Sequence, residues 1–319
     1  MSDSPLPRPP LGEWADKAVD WIKATMPELL QGIQDGFNGA SEQLTDILTF
    51  LPMLVMVVIF ALLGFFVRSW KFGIFLVLGM GLIVSMELWL QAMQTLAMVL
   101  VATLVAVIIA IPVGILAAKS RTVSAIVRPI CDFLQTMPAL VYLVPVVIFF
   151  SIGYAPGVVA TIIFAMAPGI RLTELGIRQV DSETVEAGQA FGGTGGQILR
   201  GIQLPLGLPT IMAGVNQVIM LGLSMSVMAG FVGAPGLGKE VTAALGNVDV
   251  AKGFEAGLGI VILAIFLDRT TGAVGQENKG SLATLIRGRR NAAAKRAKAQ
   301  AAEPTTADEE TEHALQGAH

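Results

Sequence analysis

Residues 95–118 read TLAMVLVATLVAVIIAIPVGILAA, without one charged side chain. Wound as an α-helix, at about 1.5 Å per residue, the run is roughly 36 Å long and crosses a hydrocarbon core of about 30 Å. A helix satisfies its own backbone donors and acceptors, so it is the form such a run takes in lipid. The rest of the chain agrees. Of 319 residues, 54% are hydrophobic and 14% charged, against about 25% charged in soluble domains. Similar runs recur near 47–67, 72–90, 138–155, 157–176, 206–232 and 254–270. Together they predict an all-α polytopic membrane protein with about seven spans. Pro145, Pro156 and Pro168 interrupt the fourth and fifth, as kinks or as breaks that line a pathway.

Basic residues set the expected orientation. Arg68 and Lys71 follow the first span, Lys119, Arg121 and Arg128 the third, and Arg178 and Arg200 the fifth, with Arg171 nearby. The tail adds Arg287, Arg289, Arg290, Lys295, Arg296 and Lys298. With seven spans all of these fall on one side, and only Arg8, Lys17, Lys23, Lys239 and Lys252 on the other. An outside N-terminus and a cytoplasmic C-terminus follow. Trp70 and Trp89 fall at the expected interfaces, where tryptophan is enriched.

Several chemistries are excluded. Cys131 is the only cysteine, and both histidines, His313 and His319, lie in the polar tail. An internal disulfide is impossible, and a metal site or a Ser-His-Asp triad has too few of its residues. The opening MSDSPLPRPP lacks the basic and apolar regions of a signal peptide. Residues 1–46 are expected to be an extracytoplasmic segment. Within it, Leu11, Trp14, Ala18, Trp21, Ile22, Leu29, Ile33 and Phe37 recur at helical steps among charged residues, with Pro27 as a break. That amphipathic helix either lies on the outer membrane surface or packs against the chain's own spans. Residues 47–275 form the membrane domain. Residues 276–319, basic and then acidic, read as a cytoplasmic, mostly disordered tail whose basic part suits anionic headgroups.

One polar stretch stands between the greasy ones. Residues 186–205 read EAGQAFGGTGGQILRGIQLP. GGTGG invites a phosphate-loop reading, but a Walker loop needs a lysine after its last glycine, and here Gln197 and Ile198 follow Gly196. The spacing of a dinucleotide fingerprint fails too, since its third glycine would fall on Ile198. Helix-end chemistry fits better. Asp181 or Ser182 can cap a short helix with Glu183 in its first turn. Gly192 and Gly193 suit its C-terminus. Thr194 and Gln197 have capping-box spacing for a second helix through Ile198, Leu199 and Ile202. Pro205 and Pro209 then mark a bend into the next span.

The same residues resemble the EAA loop (about 181–205) of ABC-importer permeases, E-A-A-x-x-x-G followed after nine residues by I-x-L-P. Here it reads Glu186-Ala187-Gly188, Gly192, Ile202-Gln203-Leu204-Pro205, with glycine where the family usually has alanine. Over about residues 90–270 the chain is similar to the glycine betaine/proline-betaine/choline branch of these permeases. The supporting segments are QTMPALVYLVPVVIFFSIG (135–153), QLPLGLPTIMAGVNQVIM (203–220), GAPGLGKEV (233–241) and GLGIVILAIFLDR (257–269). The resemblance implies a type I importer permease in a bacterial inner membrane, with a cytoplasmic coupling helix. Its partners would be a second copy of the chain, a cytoplasmic ATPase subunit, an extracytoplasmic substrate-binding protein and membrane lipids, with no nucleic acid. This chain would be non-catalytic and hold no cofactor, ATP and Mg being bound by the ATPase. Glu186 would orient the coupling helix, Ala187 and Gly188 would allow close approach, Gly192 would form the turn, and Ile202, Leu204 and Pro205 would anchor the return to the membrane.

The substrate-contacting residues stay open. A quaternary ammonium ion is attracted to aromatic faces, so Phe133, Tyr142, Phe149 and Phe150 are candidates, with ordinary packing as the alternative for each. Glu87 and Glu174 fall near span ends, where interface placement accounts for them. A permease for another small solute, such as an amino acid or an oxyanion, is the alternative within the architecture. An ATP-independent channel or secondary transporter is the alternative outside it. A membrane-embedded enzyme is disfavoured by the lack of intramembrane His/Asp/Glu clusters.

Overall fold

The structure, a computed structural model, describes residues 10–275. The basic and acidic tail and both histidines lie outside the described residues. Thirteen helices and one π turn occur among the described residues, in the order α1 Leu11–Thr25, α2 Pro27–Thr49, α3 Met53–Val67, α4 Trp70–Ser85, α5 Trp89–Lys119, α6 Arg121–Thr136, α7 Ala139–Phe150, α8 Tyr154–Arg178, α9 Ser182–Ala190, α10 Gly195–Ile198, the π turn Leu199–Gln203, α11 Leu204–Gly230, α12 Leu237–Asn247 and α13 Val250–Gly275.

Four helical segments are long and apolar enough to span a bilayer: Trp89–Lys119, Tyr154–Arg178, Gly195–Gly230 and Val250–Ala273. Two pairs bent by 96° and 97°, α2 with α3 and α6 with α7, qualify only when taken together. Among the described residues this gives four to six candidate spans by length and composition, against the seven counted from the sequence. The reason lies in the break residues. The expected span 47–67 ran across Phe50-Leu51-Pro52, where α2 stops and Pro52 caps α3 in extended geometry. The expected span 138–155 contains α7, only 12 residues and so about 18 Å long. The expected span 72–90 holds the 16-residue α4. A hydropathy window averages across such breaks; backbone geometry does not.

The centre is built from α5, α8 and α11. Their contact faces are lined with small residues: Ala102, Ala106 and Ala110 on α5, Ala160, Ala165 and Ala167 on α8, all fully or nearly fully buried. Lipid tails are as apolar as leucine side chains, so helices associate here through close van der Waals approach. At the α8–α11 crossing a Cβ on Gly207 would stand 2.6 Å from the Gly176 carbonyl oxygen, and one on Gly176 2.9 Å from that of Gly207. The α3–α4 hairpin and α13 form a second, bulkier cluster with α5, in which Leu76, Met80, Ile83 and Leu263 are fully buried. Trp89 belongs to it, its ring edge-on to Phe60 at 6.4 Å. It is therefore buried against the core, at the first position of α5. Trp70, by contrast, is exposed.

The break at Pro27 occurs as expected, with Met26 between α1 and α2. The two halves behave differently. Helix α2 packs into the bundle against α5, α7 and α8. Its Asn38 Oδ1 accepts the Ala155 backbone N–H at 2.9 Å, satisfying one of the free donors at the start of α8. Thr45 meets the Tyr154 hydroxyl at 3.4 Å. Helix α1 leaves Trp14 and Trp21 exposed.

Candidate functional site

The polar loop folds as a short helix seated on the start of a long one. Asp181 caps α9, its Oδ1 accepting the Glu183 N–H at 3.2 Å. At the other end Gly193 N–H reaches the Gly188 carbonyl and Gly192 N–H that of Gln189. This 6→1 and 5→2 pair is the Schellman arrangement, and it requires a left-handed residue at Gly192, whose φ is +81°. Thr194 and Gln197 then form the capping box: Gln197 Oε1 accepts the Thr194 N–H at 2.8 Å, and Thr194 Oγ1 accepts the Gln197 N–H at 3.4 Å. GGTGG is thus a stop and a start.

Beyond the box the expected bend at Pro205 and Pro209 is absent. The chain runs as one continuous helix from Gly195 to Gly230. The π turn at Leu199–Gln203 adds a wider winding just ahead of Pro205, where proline supplies no N–H to the ladder. Ile198 and Leu199 are buried, while Ile202 and Leu204 are half-buried. Ile198 and Ile202 form the platform on which α9 sits. Gly188 faces that platform: a Cβ there would meet Ile202 Cδ1 at 2.7 Å. Alanine there would require only the isoleucine tip to move. Pro205 is exposed.

The opposite face of α9 is open. Glu183, Glu186, Ala187 and Ala190 are exposed at helical spacing, and Phe191, at the end of that face, is 93% exposed. Sequence reading named Glu186, Ala187 and Gly192 but passed over Phe191. Its signal was present, as a bulky aromatic directly before the turn glycine in a polar loop. An unpaired ring held on a capped helix is the form of a binding anchor. Phe191→Ala is therefore expected to weaken binding of whatever protein docks on α9 by about 2 kcal/mol, roughly 30-fold in affinity. Pull-down of the partner at graded concentrations checks this, with insertion and folding of the chain unchanged.

The four aromatic candidates are distributed over different environments. Tyr142 and Phe150 are buried, and Phe149 is half-buried. Tyr142 sets its ring edge-on to Phe164 and donates its hydroxyl to the Leu134 carbonyl. Phe133 lies exposed on α6. Burial makes Tyr142 and Phe150 core residues in this arrangement.

Two polar groupings went unseen in the sequence. Asn216 of α11 donates to Asp268 of α13 at 2.8 Å and accepts from Thr271 at 3.1 Å, beside a cavity of about 310 Å³ that Arg68 and Arg269 also line. Glu174 lies one turn before the end of α8. It is only 4% exposed and sits in a cluster with Ser124, Arg128 and Arg178. Its i,i+4 relation to Arg178 was legible; the partners on α6 are brought in by the fold.

The family described as "Binding-protein-dependent transport system inner membrane component" matches residues 110–276. Glycine betaine transport system permease protein OpuAB of Bacillus subtilis (strain 168) is 46% identical over 266 residues, covering 83% of this chain and 94% of that protein. Glycine betaine/proline betaine transport system permease protein ProW of Escherichia coli (strain K12) is 43% identical over 270 residues, covering 85% of this chain and 76% of that one. Among solved structures, an inward-facing form of the MetNI methionine ABC transporter aligns with a TM-score of 0.54 at 25% identity, covering 60% of this chain and 96% of the matched one. With its helical bundle and capped loop, the chain belongs to the binding-protein-dependent transport system inner membrane components, the non-catalytic multi-pass permeases of ABC importers.

Proposed function

We propose that this permease imports glycine betaine, proline betaine or a choline-type solute, driven by a separate ATPase that docks on α9. The observation that carries the docking reading is the exposed face Glu183, Glu186, Ala187, Ala190 and Phe191, presented by a helix capped at both ends and seated on the start of a span. Small residues let a partner's groove approach, Glu186 sets a polar contact, and Phe191 fills an apolar pocket. Gly192 holds the turn, and Ile202, Leu204 and Pro205 carry the displacement into α11. ATP and Mg belong to the ATPase, so this chain hydrolyses nothing.

The solute class is carried over from the named relatives, which match most of this chain. Arg178 and Arg200, which flank α9, support placing it in the cytoplasm. An extracytoplasmic binding protein then delivers the solute to the end remote from α9, and two copies of the chain enclose the path. Phe133, exposed on α6, is the aromatic of the four that is free to face that path.

A competition panel in proteoliposomes tests the solute class. Uptake of labelled glycine betaine by the complete importer is expected to fall when proline betaine or choline is in excess and to be unaffected by an oxyanion. Uptake of an amino acid or oxyanion in place of all three would overturn the assignment.

A further inference from the structure

The charged cluster between α6 and α8 plays no part in the docking face, yet its geometry is specific. Glu174 Oε1 accepts from Ser124 Oγ at 2.8 Å and Arg128 Nη2 at 3.0 Å, and Arg178 Nε forms an ion pair with it at 2.9 Å. Arg178 Nη2 in turn donates to the Ala117 carbonyl, in the last turn of α5, at 2.8 Å. One turn before Glu174, Arg171 pairs with Asp132 of α6. Two rungs therefore join α6 to the end of α8, and a third contact adds α5. The same groups line a cavity of about 320 Å³.

A carboxylate buried in a spanning helix is costly unless paired, and a well-packed apolar contact would stabilise the two helices at least as well. What the ionic arrangement adds is register. Apolar surfaces can slide past one another, whereas one oxygen held by two directed donors and an ion pair has a single seat. The position of that seat is informative. Only Gln179, Val180 and Asp181 separate Arg178 from the start of α9. On the other side, α6 continues into α7 through the 97° break at Met137-Pro138.

We propose that Glu174 is a positioning residue of the transport cycle: it makes the bent α6–α7 pair follow the end of α8, so that a push on α9 moves that span. The inference rests on the reading of α9 as the ATPase-docking helix. Glu174 touches neither solute nor nucleotide and acts through Arg128 and Ser124. A loss of this clamp breaks the link between hydrolysis and transport, while a merely structural role would reduce both together.

The test uses the assembled importer in vesicles, with ATP hydrolysis and solute import measured on the same preparation. In Glu174→Gln, which keeps the shape and one hydrogen bond to Ser124, hydrolysis is expected to persist while solute imported per ATP falls by about tenfold. Arg128→Gln should show the same split, and the double variant should fall no further than either single one. Arg128 has a side chain 57% exposed, so its loss leaves no buried void, and it decides the matter should Glu174→Gln fail to assemble. Unchanged import per ATP in Arg128→Gln, or import and hydrolysis falling in parallel, overturns the proposal. Failure of the docking reading looks different: the ATPase would stay bound, and import would stay intact, in Glu186→Arg.

Discussion

Glu186→Arg is expected to abolish ATP-driven import while leaving the chain inserted and folded. The side chain is exposed on α9 and the structure gives it no partner that folding requires. Arginine is a good helix former, so α9 itself survives the change. What changes is the sign of the charge offered to the partner. Reversing a charge within an interface costs several kcal/mol where it meets a group chosen for the opposite sign, which lowers docking by roughly 100-fold or more. Import should therefore fall to background, and the ATPase should be lost from the purified complex. Equal recovery of the ATPase with wild type and variant, together with undiminished uptake, would remove Glu186 from the docking role.

Gly238→Ala is expected to have the largest effect on stability. At the end of the bundle remote from α9, α11 and α12 cross with backbone on backbone. A Cβ on Gly238 would stand well inside van der Waals contact distance of the Ser226 carbonyl oxygen, and one on Gly230 would strike the Gly238 carbonyl. Ser226 is itself buried, its hydroxyl held by the Leu223 carbonyl at 2.6 Å, so the obstacle is fixed backbone and not a movable side chain. Overpacking of this kind costs about 3 kcal/mol. The expected result is a clear drop in the unfolding midpoint of the detergent-solubilised permease and in the amount of protein recovered. Gly81→Ala serves as the control, because a Cβ there meets nothing within 4 Å. Equal stability of the two variants would contradict the close crossing.

The sequence carried the membrane class and the local chemistry of the loop well, because both depend on near neighbours. An unbroken run such as 95–118 can hardly be anything but a spanning helix, and it lies within the 31-residue α5. The caps at Asp181, Gly192 and Thr194 were legible for the same reason: a cap is fixed by residues two to five positions apart. The span count failed where the decisive feature was a bend. The helices before Pro52 and Pro138, α2 and α6, are amphipathic, so hydropathy marks only the apolar α3 and α7 and does not register that each is joined to its predecessor by a turn of nearly a right angle. The burial of Trp89 and Glu174 was not legible, because burial is a property of what packs against a residue. Phe60 and Arg128 lie far from them in sequence, and only the fold brings them close. Likewise, the two readings of the amphipathic N-terminal segment could be separated only by seeing α2 seated against α5, α7 and α8.

On the proposed function, this chain moves solute with ATP bound only by its partner. The most direct test is uptake of labelled glycine betaine into proteoliposomes carrying the permease and its binding protein, with and without the partner ATPase, ATP being supplied on the side that α9 faces. Uptake is expected only when ATPase and ATP are both present, and to vanish when either is withheld. Steady uptake by the permease without the ATPase would contradict the account and identify the chain as a channel or a secondary transporter.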